Sequence, residues 1–140
     1  MEYKKTESID DSFAKKYNRG NVLAKECPSR SILQDVTSRW GVLVLFSLLN
    51  GTHRFSELRK KISGVSEKML SQTLQALEAD GFVLRIAHPV IPPHVEYQLT
   101  ENGIEVAHRL EELVNWIELN INDILNARSH YDEIRKSRER

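Results

Sequence analysis

One cysteine, Cys27, stands among the 140 residues. That excludes an intramolecular disulfide framework and any zinc site built from several thiolates. Long apolar runs are also missing: the longest, Val42 to Phe46 with Leu48 and Leu49 beyond it, is broken by Ser47 and falls short of the ~18 residues a membrane span requires. Basic residues near the N-terminus are followed by no apolar segment, so no secretory signal is read and the expected location is cytoplasmic. The six glycines are scattered, which leaves no phosphate-cradling loop. The five histidines, His53, His88, His94, His108 and His130, lack the His-Glu-x-x-His spacing of a metalloprotease. Composition alone leaves a cysteine–histidine dyad open, but nothing in the sequence brings the two together. The expectation is a protein that is not an enzyme and takes no cofactor or metal.

What is present fits one domain, long enough for a real core but not for two comfortable ones. Formal net charge is zero, yet the signs are segregated. From Gly51 to Gln75, Arg54, Arg59, Lys60, Lys61 and Lys68 outweigh Glu57 and Glu67. From Thr100 to Asp123, Arg109 stands alone against Glu101, Glu105, Glu111, Glu112, Glu118 and Asp123. A basic middle and an acidic C-terminal helix suggest that one part faces a polyanion while the other does something else.

Along the chain, residues 1–26 read as a polar, partly helical arm with Phe13, Tyr17, Val22 and Leu23 as its apolar positions. Ser29 is a plausible cap for a short helix carrying Ile32, Leu33 and Val36. The stretch from about Trp40 to Leu49 is apolar nearly all round, the mark of a buried helix, and Asn50-Gly51 ends it. After an extended piece, Thr52 to Phe55, Ser56 caps a third helix over Glu57–Ile62. A turn at Ser63-Gly64-Val65 leads to a fourth helix, capped by Ser66 and ending at Asp80-Gly81. Two helices joined by a short glycine-containing turn, the second the longer, are the helix-turn-helix pattern. Two extended runs, 82–86 and 95–99, flank a proline-rich corner and read as a hairpin. Thr100 caps the last long helix.

The fourth helix carries the most information. At 100° per residue Leu70, Leu74 and Leu77 form one stripe. The opposite face collects Lys68, Ser71, Gln72, Gln75 and Ala79, with no carboxylate. Gln makes paired hydrogen bonds to adenine in the major groove, Lys reaches guanine or a phosphate, and Ser serves either. Taken alone, such a face is also what an ordinary solvated helix presents.

Its neighbours add to this. Cys27-Pro28, Ser38-Arg39-Trp40, the run Gly51-Thr52-His53-Arg54-Phe55-Ser56-Glu57-Leu58-Arg59, the run from Gly64 to Gln72, Leu77 to Gly81 and Pro92 to Thr100 together resemble the HxlR-type winged-helix regulators. The resemblance spans roughly residues 27 to 120. It implies a mainly α fold with a small β-hairpin wing, a winged helix-turn-helix dimerising through its N- and C-terminal helices, with double-stranded DNA as partner. Carried over residue by residue, it implies DNA contacts from Ser66, Lys68, Ser71, Gln72 and Gln75 on the recognition helix. Arg54 and the wing, with Arg85 and His94, are the expected backbone contacts. Many relatives carry a basic residue where this chain has His94.

In the last helix Leu110, Leu113, Ile117, Ile121 and Ile124 recur at intervals of three and four, a seam that needs an apolar partner. A second subunit is the more economical one, and a two-fold dimer matches a palindromic operator. The expected organisation is an arm over 1–26, the DNA-binding domain over 27–100, a dimerisation helix over 101–128 and a charged tail over 129–140. Cys27, near a helix start and close to Lys25 and Arg30, is a candidate thiol sensor of oxidants or electrophiles. Glu26 opposes thiolate formation, and an inert structural cysteine is the other reading. A ligand-responsive regulator with a small-molecule effector, and a winged-helix module that binds protein instead of DNA, are the alternatives; salt dependence separates the last from a DNA binder.

Overall fold

The computed structural model describes residues 20–140; positions 1–19 of the expected arm, including Phe13 and Tyr17, lie outside the described residues. Residues 22–26 form turns, and the described part of the expected partly helical arm, residues 20–26, contains no helix. Next come α1 (Pro28–Thr37), α2 (Arg39–Leu48), β1 (His53–Arg54), α3 (Phe55–Lys61), α4 (Glu67–Ala79), β2 (Val83–His88), β3 (His94–Leu99), α5 (Glu101–Leu119) and α6 (Ile121–Arg138). The strands form one antiparallel sheet in the order β1-β3-β2.

Local chemistry sets most of the boundaries. The Ser66 and Thr100 hydroxyls accept from the backbone N–H groups of Met69 and Gly103, satisfying donors that a helix start leaves unpaired. Gly51 ends the turn after α2 at a φ of 119°, a conformation glycine adopts without steric cost. Two expected caps are corrected. Pro28 occupies the first position of α1 and makes Cys27 the N-cap, because proline needs no N–H donor there; Ser29 therefore lies inside the first turn. Pairing of β1 with β3 continues to Arg54, so α3 starts at Phe55, one residue before Ser56.

The core is built where α2 crosses the helix-turn-helix. Val44 and Leu45 of α2, Leu58 of α3, and Leu70, Leu74 and Leu77 of α4 are fully buried. Each such side chain contributes about 1.5–3 kcal/mol by leaving water. Gly103, Ala107 and Leu110 bury one face of α5. At Gly103 a Cβ would overlap the Phe82 carbonyl, so only glycine allows α5 to approach the start of the wing this closely.

Two boundaries at the C-terminal end are corrected. The single dimerisation helix expected over 101–128 is interrupted at Asn120, whose side-chain amide donates to the Trp116 carbonyl at 2.8 Å. The same carbonyl also accepts from the Asn120 backbone N–H at 3.1 Å, and Asn120 itself leaves helical geometry with φ −110° and ψ 14°. The residues expected as a tail, 129–140, continue α6 to Arg138. Arg135, Lys136 and Arg138 in the last turn complement the negative end of the helix dipole. No residue of α6 is buried, and among the described residues no helix is long and apolar enough to cross a membrane.

Candidate nucleic-acid interface

Burial of Leu70, Leu74 and Leu77 fixes the rotation of α4 about its axis and turns Lys68, Gln72 and Gln75 outward. These three are exposed and Ser71 half-buried. The helix spans about 20 Å, enough to lie in a major groove. Ser66 is exposed, and its hydroxyl accepts from Met69 at 3.1 Å; its first task is to start the helix. Glu67, in the same first turn, is paired with Arg59 of α3 at 3.0 Å. That pair partly neutralises the carboxylate nearest Lys68 and also occupies one of the cations of the basic segment.

Two further cations, Lys61 and Arg54, lie at β1. Lys61 Nζ is 3.2 Å from His53 Nε2, and His53 Nδ1 is 2.7 Å from the Gly51 carbonyl. A carbonyl only accepts, so Nδ1 carries the proton and Nε2 accepts from Lys61. Arg54 is exposed; its backbone N–H donates to Glu57 at 2.9 Å. In register it stands opposite Glu96, whose carboxylate offsets part of its attraction for phosphate.

The wing does not bring Arg85 and His94 together. Arg85 pairs with Tyr97, and His94 with His88. Directly opposed residues share a face and successive residues alternate, so Arg85 and His94 project from opposite faces of the hairpin. His94 instead joins His88 and Glu96: its Nε2 is 3.1 Å and that of His88 is 3.4 Å from Glu96 Oε1. Sequence reading missed this cluster because it depends on strand register across the Pro89–Pro93 corner.

The thiol of Cys27 is buried, with 5% of the residue exposed, and Sγ lies 3.0 Å from Ser29 Oγ. That hydrogen bond, chiefly, favours the thiolate and lowers the thiol below its ordinary range; burial and Glu26 oppose it less strongly. A second group missed from sequence is Asp80, which caps α4 at its C-terminus. Burial first, then the adjacent Asp35 carboxyl of α1, raise Asp80 to about 6. Its Oδ2 is buried without a hydrogen-bond partner.

Of the residues expected to form a dimer seam, Leu110 belongs to the protein's own core at 7% exposure, because α5 packs on α2 as far as this turn. Beyond it Leu113 (51%), Ile117 (40%) and Ile121 (40%) are exposed, Ile124 is half-buried, and Trp116 and Leu125 lie exposed beside them. An open cleft of about 450 Å³ runs between the end of α2 and α5, lined by Leu48, Leu49, Leu99, Ile104, His108 and Glu111 among others.

Comparison with known proteins agrees with this arrangement. The family model of the HxlR-like helix-turn-helix matches residues 35–124. The HTH-type transcriptional regulator YtfH of Escherichia coli is 58% identical over 117 residues, covering 84% of this chain and 93% of its own. A solved structure of the transcriptional regulator ytfH from Salmonella typhimurium, also 58% identical, superposes with a TM-score of 0.76 over 79% of this chain and 99% of that one. The redox regulator HypR in its oxidised form is 33% identical, with a TM-score of 0.62 over 67% of this chain and 97% of its own.

Proposed function

Since the chain belongs to the HxlR-like helix-turn-helix family of transcriptional regulators, we propose that it is a cytoplasmic homodimer that reads a palindromic operator with α4. One observation carries the reading: Lys68, Gln72 and Gln75 form an outward face without a carboxylate, held in place by the buried leucines behind it. Gln72 and Gln75 read base edges, Lys68 and Ser71 reach bases or phosphate, and Arg54 and Arg85 contact the backbone on either side. The exposed apolar residues of α5 and α6, Leu113, Ile117 and Ile121, with Ile124 beside them, form the dimer seam and set the two recognition helices about one DNA turn apart.

Cys27 is the switch in this proposal. Its support is the Ser29 hydrogen bond that favours the thiolate and the likeness to a protein described as a redox regulator. Oxidation or alkylation at the N-cap of α1 alters packing next to α4 and shifts operator affinity.

The test is fluorescence anisotropy of the purified chain on DNA from upstream of its own gene, over a salt series, reduced and then diamide-treated. Affinity that falls steeply with salt marks phosphate neutralisation; salt-insensitive or absent binding points instead to a protein-interaction module. A diamide effect abolished in Cys27→Ser supports the switch. Operator binding indifferent to diamide removes it and directs the search to a ligand for the α2–α5 cleft.

A further inference from the structure

We propose that His88, His94 and Glu96 form a divalent-metal site at the tip of the wing, of a kind suited to Zn²⁺. The three donor atoms, one per residue, all lie within 4.8 Å of one another. The register of the hairpin creates the juxtaposition: His88 and His94 are directly opposed across β2 and β3, and Glu96 follows two residues along β3, on the same face. The imidazole rings lie 4.5 Å apart between centroids and 30° from parallel, so both Nε2 atoms converge on one carboxylate oxygen.

The spacing suits coordination. Zn–N and Zn–O bonds of about 2.0–2.2 Å arranged tetrahedrally separate neighbouring donors by about 3.3 Å. The two imidazole–carboxylate separations are 3.1 and 3.4 Å. Hydrogen bonding alone does not account for the group equally well. His94 reaches Glu96 as a hydrogen-bond partner, whereas His88 Nε2 is shielded from solvent and has none. A bound cation accepts the lone pairs of both imidazoles and one from the carboxylate at once. Two nitrogens and an oxygen are a ligand set typical of zinc, with water or another oxygen donor in the fourth position.

Binding ties the two strands together at the Pro89–Pro93 corner and brings two positive charges to the cluster. On the DNA-binding reading, and only on it, this strengthens the wing's attraction for phosphate.

The experiment is a titration of the full-length reduced chain with Co²⁺ in the absence of DNA, following the visible bands of four-coordinate cobalt and their bleaching by Zn²⁺. The expected result is saturable binding at one site per chain. Replacing a ligand should cost more than the ~10–100-fold typical of losing a mere supporting partner, so H94A and H88A should weaken binding by more than about 100-fold. Glu96→Gln, which keeps the side-chain shape, should weaken it too. C27S and H108A should leave the spectrum unchanged. Absence of a saturable spectrum, or the same spectrum in H94A, overturns the site. Because DNA takes no part in the titration, its outcome is independent of the operator-binding reading.

Discussion

Arg59 of α3 and Glu67 of α4 form an ion pair at 3.0 Å across the turn of the helix-turn-helix, joining its two helices directly in front of the face that carries Lys68. Both side chains are substantially exposed, so the pair adds little stability, about 0–1 kcal/mol. Its larger consequence is electrostatic. Glu67→Ala should leave the melting temperature nearly unchanged, release Arg59, and tighten DNA binding several-fold at low salt, with the gain fading as salt screens it. Binding isotherms at two salt concentrations check this; a large loss of stability with no gain in affinity would contradict it.

Asp80 gives the protein a pH-dependent stability. Its carboxyl is raised to about 6 in the folded chain from 3.8, so the native state holds the proton more tightly than the unfolded state. The resulting stabilisation is fully present below about pH 3.8 and is lost as pH rises through about 6. Discounted for partial solvent access, it is on the order of 1 kcal/mol. The wild type should therefore lose stability between about pH 4 and pH 6.5, and Asp80→Asn should flatten that slope. Urea midpoints across the range provide the measurement, and equal slopes in the two proteins would exclude Asp80 as the cause.

Gly103→Ala should destabilise the chain by about 1–3 kcal/mol, although alanine is the better helix former, because its Cβ meets the Phe82 backbone. A melting temperature equal to or above that of the wild type would mean that α5 does not sit this close to the wing.

The seam makes a separate prediction. A double variant, Leu113→Glu with Ile121→Glu, places charge on two exposed apolar positions of α5 and α6. Sedimentation should show the wild type as a dimer and the variant as a folded monomer. A variant that remains dimeric would move the interface elsewhere.

Much of this architecture was legible in the sequence because it is locally encoded. The Leu70-Leu74-Leu77 stripe, the Ser66 and Thr100 caps and the Asn50-Gly51 stop each depend on a few adjacent residues, and together they set the rotation of α4 and hence its outward face. The strand β1 was read only as an extended piece: two residues make a strand only through their pairing with Tyr97 and Glu96, more than forty positions away. The same dependence on register hid the His88–His94–Glu96 cluster and the separation of Arg85 from His94. Leu110 fits the periodic seam as well as Leu113 does; which of them α2 covers is decided by where the domain ends. At Asn120 the backbone leaves helical geometry (φ −110°, ψ 14°) in a helix whose apolar periodicity runs on through the break.

The most direct test of the central claim is operator binding by a chain carrying Lys68→Ala, Gln72→Ala and Gln75→Ala, measured against wild type on specific and scrambled DNA. The account predicts that discrimination falls by about 1–3 kcal/mol for each base pair no longer read, while the Lys68 contribution to phosphate binding falls alike on all sequences. If the triple variant binds every DNA as the wild type does, α4 is not the helix that reads the operator.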